Sequence, residues 1–238
     1  MPFYDNYFSS ERSRSTSLGR WLVRYRNNWF IDRIQTIAKK KTISILELGP
    51  GKGEFADLCL QRNWDYLGVE GNKPMFDSLI ERNIKVMNKF VPPIGIDRSF
   101  DVVFLNQVFE HMDSRRQAVQ LIQEIYNILN DRGIVVISSP EVIFWGRNFF
   151  AGDYSHNNPT SFYSMQQILF DNNFEIKNVT FYTLVFEGYL IAKLLAYFYN
   201  FLFSVFAFDL LFGREKGYKI MTALLPSVVL IGQKRESG

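Results

Sequence analysis

A chain of 238 residues is too short to require two cores, and 47% hydrophobic against 21% charged residues leaves no room for a long disordered tract, so one folded domain with an elaboration is expected. A net charge of +3 is too small for the clustered basic stripe that a phosphate backbone demands, which argues against a nucleic-acid partner. The single cysteine, Cys59, excludes a disulfide within the chain and a cysteine-based metal site, and fits a reducing cytoplasm.

The stretch MPFYDNYFSSERSRS has no apolar core followed by a cleavage site, so it does not read as a secretory signal. Arg12, Arg14, Arg20, Arg24 and Arg26, with Lys39, Lys40 and Lys41 further on, form either a solvated face and linker or a patch for acidic headgroups or a phosphorylated substrate. Leu18 to Ile37 places Leu22, Tyr25, Trp29, Ile34 and Ile37 at near-helical spacing, which predicts an amphipathic helix over part of a pocket or an edge of a sheet. Thr42 to Leu48 is a short β-branched run that breaks at Gly49-Pro50-Gly51-Lys52-Gly53 before a helical stretch from Glu54 to Arg62. The alternation continues with a strand at Asp65 to Glu70, a helix at Pro74 to Arg82, and strands at Ile84 to Met87 and Phe100 to Leu105. A helix from Asp113 to Leu129 is expected to stop at Gly133, before a strand at Ile134 to Ser138. Ser164 to Asp171 reads as a helix, and Phe174 to Thr183 and Ser227 to Gln233 as strands. Such alternation implies an α/β fold with a parallel sheet covered by helices on both faces.

The glycine turn carries the chemistry. Glycines at a strand end let the backbone turn sharply and approach a ligand, and the helix that follows offers unpaired N–H groups. Glu47 precedes the glycines, and Glu70 ends the next strand about 20 residues on, where a carboxylate binds ribose hydroxyls. A dinucleotide fingerprint is G-x-G-x-x-G, but here Glu54 stands where its third glycine belongs, which favours a ligand without a pyrophosphate. Over residues 43 to 183 the segment resembles the class I S-adenosylmethionine (SAM)-dependent methyltransferases, with the parts in that family's order.

The resemblance implies SAM as cofactor and a Rossmann-like seven-stranded sheet with an antiparallel last strand. It assigns Glu47, Gly49, Gly51 and Gly53 to the methionine portion and ribose, Glu70 to the ribose hydroxyls, and Asn88 to the adenine amine or to a plain turn. Phe100 to Met112 resembles the family's fourth motif, so Asn106 and Gln107 would face the sulfonium and the acceptor, while Glu110 and His111 read as methyl-site neighbours or helix-start residues. Asn106 is not followed by Pro-Pro-aromatic, the clamp for a flipped base, which removes support for a DNA target. Gly152 to Ser164 resembles an acidic-x-x-His segment of small-molecule methylating members, making His156 a candidate general base, with the alternative that Asp153 and His156 only tie down the loop; Glu141, just past the fifth strand, is a second base candidate. No clustered metal ligands are evident, and the chemistry needs none. The acceptor expected is a small molecule or a lipid-linked glycan.

The domain reading is an N-terminal helical segment (1–41), a SAM-binding domain (42–183), a hydrophobic helical insertion (184–225), and a last strand with a tail (226–238). The insertion holds 15 uncharged residues between Lys193 and Asp209, short of the roughly 20 that a bilayer span needs. Three readings stay open for it: a lid over the acceptor pocket, a homodimer interface, or a membrane-surface contact edged by Lys193, Arg214, Lys216 and Lys219, which would place a cytoplasmic protein at the inner face of the membrane.

Overall fold

The computed structural model describes residues 16–183, 185–206 and 214–236. Arg12, Arg14 and the end of the apolar run at 207–209 lie outside them. In chain order the elements are α1 (Ser17–Ala38), β1 (Ser44–Leu48), α2 (Glu54–Gln61), β2 (Asp65–Glu70), α3 (Lys73–Glu81), β3 (Val86–Asn88), β4 (Phe100–Asn106), α4 (Arg115–Ile128) and β5 (Leu129–Pro140). After these come α5 (Val142–Trp145), α6 (Asn148–Gly152), α7 (Phe162–Asp171), β6 (Phe174–Thr183), β7 (Phe186–Glu187), α8 (Tyr189–Phe206), α9 (Arg214–Leu224) and β8 (Ser227–Lys234).

The strands form one sheet in the order β3-β2-β1-β4-β5-β8-β6-β7. β1 to β5 pair in parallel, and β8 runs antiparallel between β5 and β6, as the resemblance implies. The sheet has eight strands rather than seven: β7 returns against β6 through two residue pairs, Tyr182 with Glu187 and Thr183 with Phe186, too short a run to show in the sequence. Strand order reverses between β1 and β4, and the carboxyl ends flanking that reversal are where an open α/β sheet leaves a crevice for ligands.

The period of two along the strands sorts the core. Val103, Leu105, Val135, Ile137, Val228 and Leu230 face α4 and α7, while Val102, Phe104, Ile134, Val136, Val229 and Ile231 face the side covered by α1, α2 and α3. α1 buries Phe30, Ile31 and Ile34, whereas Tyr25 stays exposed. Phe30 meets the Phe104 ring at 5.0 Å, so the helix lies across the middle of the sheet face and not along its edge. α4 ends at Ile128, and Leu129 already pairs with Phe100, so Gly133 is not its stop. The left-handed residue near the start of β5 is Arg132, with φ 58°.

In the insertion, α8 turns its small residues inward. Ala192 joins the sheet core, and Ala196 and Tyr199 pack with Trp145, Phe149, Met221 and Leu225 in a separate cluster. Leu190, Leu194, Tyr197, Phe198 and Phe201 are left exposed. No helix among the described residues is long and apolar enough to cross a membrane.

Candidate active site

The β1–α2 turn is built on positive φ angles. Gly49, Gly51 and Gly53 sit at 75°, 56° and 75°, a region that costs a residue with Cβ about 1–2 kcal/mol. A Cβ on Gly49 would lie 2.5 Å from Val108 Cγ2 and one on Gly53 2.6 Å from Leu79 Cδ2, so these two are also sterically required. At Gly51 nothing lies within 4 Å of the added Cβ, so the middle of the turn is open on the side where a ligand would approach.

Two buried carboxylates flank this opening. Glu70 ends β2 and accepts from the Gly51 N–H at 2.9 Å and the Asn72 N–H at 2.8 Å, which couples the turn to the neighbouring strand end. Burial raises its pKa, against the lowering effect of those bonds. Glu47 accepts from the Tyr66 hydroxyl at 2.6 Å, and burial, with repulsion from Glu70 and Glu54, pushes its pKa up to about 8. Asn88 closes β3 and donates to the Glu70 carbonyl at 2.8 Å, so it borders the same opening. Phe90, which sequence reasoning passed over, lies largely exposed against the backbone of Gly71, close enough that a Cβ there would fall 2.4 Å from its ring.

Across the strand reversal, Asn106 ends β4, and its Oδ1 is buried with no hydrogen-bond partner. Such an acceptor is costly unless something donates to it. Gln107, at φ 58°, instead turns its amide to Ser138 Oγ at 3.4 Å and Ser227 Oγ at 3.3 Å, which ties together the ends of β4, β5 and β8.

Beyond these strand ends, a turn at Phe109–His111 is stitched to the loop that follows α6. Asn158 donates from its backbone to the Glu110 carbonyl at 3.0 Å and from its side chain to the Phe109 carbonyl at 2.9 Å, while Thr160 anchors the loop to Pro140. These bonds bring His156 to Glu110 and His111, whose ligand-type atoms all lie within 4.8 Å of one another. The sequence separates the members of this cluster, and this loop joins them. His156 is buried against Phe149 and Trp145, and its Nδ1 contacts the Phe149 carbonyl at 2.7 Å. Burial lowers the pKa of both histidines, and it raises that of Glu110 to about 8.

Glu141 is placed differently from a base that meets a substrate. It is fully buried, its Oε1 accepts from the Ile143 N–H at the start of α5, and its Oε2 accepts from the Phe162 N–H at the start of α7. Its geometry is that of a cap shared by two helices.

A glycine turn after β1, a carboxylate ending β2 and a strand reversal with an unpaired amide oxygen together define a class I SAM-dependent methyltransferase. A profile of the methyltransferase domain family matches residues 22–178, and the chain belongs to that family. No curated protein matches it by sequence. Among solved structures, it is similar to the N-methyltransferase NodS from Bradyrhizobium japonicum WM9 with bound S-adenosyl-L-homocysteine, at TM-score 0.65 and 11% identity over 99% of this chain and 98% of that one. A SAM-dependent methyltransferase from Archaeoglobus fulgidus aligns at TM-score 0.61 and 19% identity over 98% of each chain. The magnesium protoporphyrin IX methyltransferase from Synechocystis PCC 6803 aligns at TM-score 0.60 and 11% identity, over 98% of this chain and 96% of that one.

SAM is the cofactor, and the residues present fit it. The opening over Gly51 admits a ligand, and the unpaired Asn106 Oδ1 and the buried Glu47 suit a ligand that carries cationic and N–H groups. An anionic pyrophosphate would meet carboxylates there.

Proposed function

We propose that the protein transfers a methyl group to a hydroxyl of a small-molecule, sugar or lipid-linked acceptor, releasing S-adenosylhomocysteine. When bound, SAM supplies a methyl group activated by a sulfonium. Glu70 would hold the ribose hydroxyls while its existing bonds keep the glycine turn in place, and the Asn88 amide and the exposed face of Phe90 would receive the adenine. Glu47 and Asn106 would take the methionine end, with the Gly49 and Gly53 turn shaping the backbone around it.

The observation that carries the hydroxyl reading is the His156 tautomer. Because the Phe149 carbonyl can only accept, Nδ1 keeps the proton and Nε2 presents a lone pair. Burial keeps this imidazole neutral near pH 7, so it would accept the proton of an acceptor hydroxyl. A lipid-linked acceptor is favoured by a second contact: the exposed apolar helix α8 packs through Ala196 and Tyr199 onto Trp145 and Phe149, the same two rings that enclose His156. An amphiphile lying along α8 would deliver its head group to that end of the sheet.

The test is a calorimetric titration with SAM and with NAD, followed by assay of homocysteine-product release over soluble and lipid-linked hydroxyl acceptors and matched amines. Binding of SAM but not NAD, with turnover on hydroxyls that collapses in His156→Ala at unchanged SAM affinity, is expected. Turnover confined to amines would replace the hydroxyl reading with N-methylation, and SAM binding without turnover on any acceptor would favour a non-catalytic partner subunit.

A further inference from the structure

We infer that Glu110, His111 and His156 form a binding site for one divalent first-row transition-metal ion at the acceptor end of the sheet. Ser155 Oγ donates to Asp153 Oδ1 at 2.6 Å, so its only proton is used, and His111 Nδ1 at 2.8 Å must donate to it. His156 Nδ1 donates to the Phe149 carbonyl. His156 therefore presents Nε2 as a lone pair with a carbonyl behind its other nitrogen, the outer-shell pattern that orients metal-binding imidazoles, and His111 is tied through Ser155 to the Asp153 carboxylate.

The third member supplies an independent sign. Glu110 is completely buried, Oε2 takes the Ser139 hydroxyl at 3.0 Å, and Oε1 has no hydrogen-bond partner. These ligand-type atoms share one small volume, and a cation there would displace the Glu110 proton and give Oε1 the partner it lacks. Ligand atoms around one ion sit about 3–4 Å apart at bond lengths near 2.1 Å, so the 4.8 Å envelope must contract by about an ångström on loading. Two nitrogens and one oxygen suit Zn2+, Co2+ or Fe2+ better than Mg2+ or Ca2+, which prefer all-oxygen shells. Three protein ligands leave positions open for an acceptor oxygen. If the hydroxyl reading of the reaction holds, His156 would act as base in the metal-free protein and as ligand in the loaded one, where the ion would acidify the acceptor hydroxyl and its proton would pass to solvent.

The experiment is to strip the full-length protein with chelator and titrate it with Co2+ and, separately, Mg2+, following visible absorption and bound metal per chain. Uptake of one Co2+ with a nitrogen-ligand absorption band, displaced by Zn2+ and not by Mg2+, is expected. His111→Ala and Glu110→Gln should each weaken uptake by more than the roughly 10–100-fold that loss of an outer-shell partner costs, and Ser155→Ala by about that smaller factor. His156→Asn, which keeps a donor for the Phe149 carbonyl, covers the case in which a truncation fails to fold. Absence of saturable Co2+ uptake by the wild type, or uptake unchanged in His111→Ala and His156→Asn, would overturn the site. SAM titration of the same samples separates the two readings: metal uptake with failed methyl transfer sinks only the reaction, and turnover on a hydroxyl that ignores chelator sinks only the metal.

Discussion

Glu70→Gln isolates the cofactor site with little disturbance of shape. In the structure the carboxylate accepts from the backbone N–H groups of Gly51 and Asn72, one on each oxygen, with Gly71 as a further backbone donor, and lone-pair capacity remains for a ribose hydroxyl. The amide turns one of these acceptors into a donor facing a donor, which costs about 1 kcal/mol. It also relieves the burial of a charge whose pKa is already raised, so the two effects oppose each other, and the unliganded stability should move by less than about 1 kcal/mol. Binding has no such offset. Charge-assisted hydrogen bonds contribute about 1.5–3 kcal/mol; losing roughly 3 kcal/mol across two hydroxyls at 1.4 kcal/mol per decade weakens SAM by on the order of 100-fold. Calorimetry would measure SAM against wild type and variant, alongside an analogue that lacks both ribose hydroxyls. The analogue should bind the two proteins alike. A loss of SAM affinity under about fivefold, or an equal loss for the analogue, would refute the assignment of Glu70 to the ribose.

Glu47 makes stability depend on pH. Its folded pKa of about 8 lies above the ordinary 4.5, so its contribution is present below the ordinary value and is lost as pH rises through about 8. Melting temperatures of the SAM-free protein should fall across that window, and Glu47→Gln should flatten the slope; an unchanged slope would discount the residue. Gly51→Ala should destabilise by about 1–2 kcal/mol from its φ of 56° alone. Gly49→Ala should cost more because of the 2.5 Å approach to Val108, and Val108→Ala should recover part of the difference in chemical denaturation. Glu141→Ala strips two helix starts of their acceptor and should cost about 2–4 kcal/mol with SAM affinity unchanged; intact stability with lost turnover would restore it as a base. Leu194→Lys with Phe198→Lys should leave stability within about 0.5 kcal/mol per site, since both side chains are mostly exposed, and reduce turnover on a lipid-linked acceptor only. A larger loss of stability, dependent on protein concentration, would instead point to a dimer through α8.

What could be read from the sequence was what is local. The run from Ser44 to Leu48 and its glycines announce a strand and a turn without help from the rest of the chain, and Glu70 follows from counting along the next strand. The histidine cluster is different in kind, because His111 and Ser155 stand 44 residues apart and meet where Asn158 and Thr160 fasten the loop to the strand ends. Glu141 differs for the opposite reason: its position just past β5 suits a catalytic group, while its capping of two helices has no sequence pattern of its own. On α1 the spacing is right, yet the buried face is chosen by Phe104 and Tyr182 beneath it, which the helix alone does not encode.

The departure from the dinucleotide spacing has an electrostatic counterpart. Gly53 caps α2 at φ 75° and packs against Leu79, so the helix begins one residue early, at Glu54. That carboxylate joins Glu70 in raising the pKa of Glu47, and together they make the β1–α2 turn an unfavourable place for a pyrophosphate, despite the exposed N–H groups that a helix start offers. An uncompensated cluster of this kind is expensive in the empty protein and becomes favourable once an ammonium and a sulfonium approach it. The same residues that weaken the unliganded fold therefore select the cofactor, so SAM should raise the melting temperature more at pH 8 than at pH 6, where Glu47 is protonated, while NAD should raise it at neither.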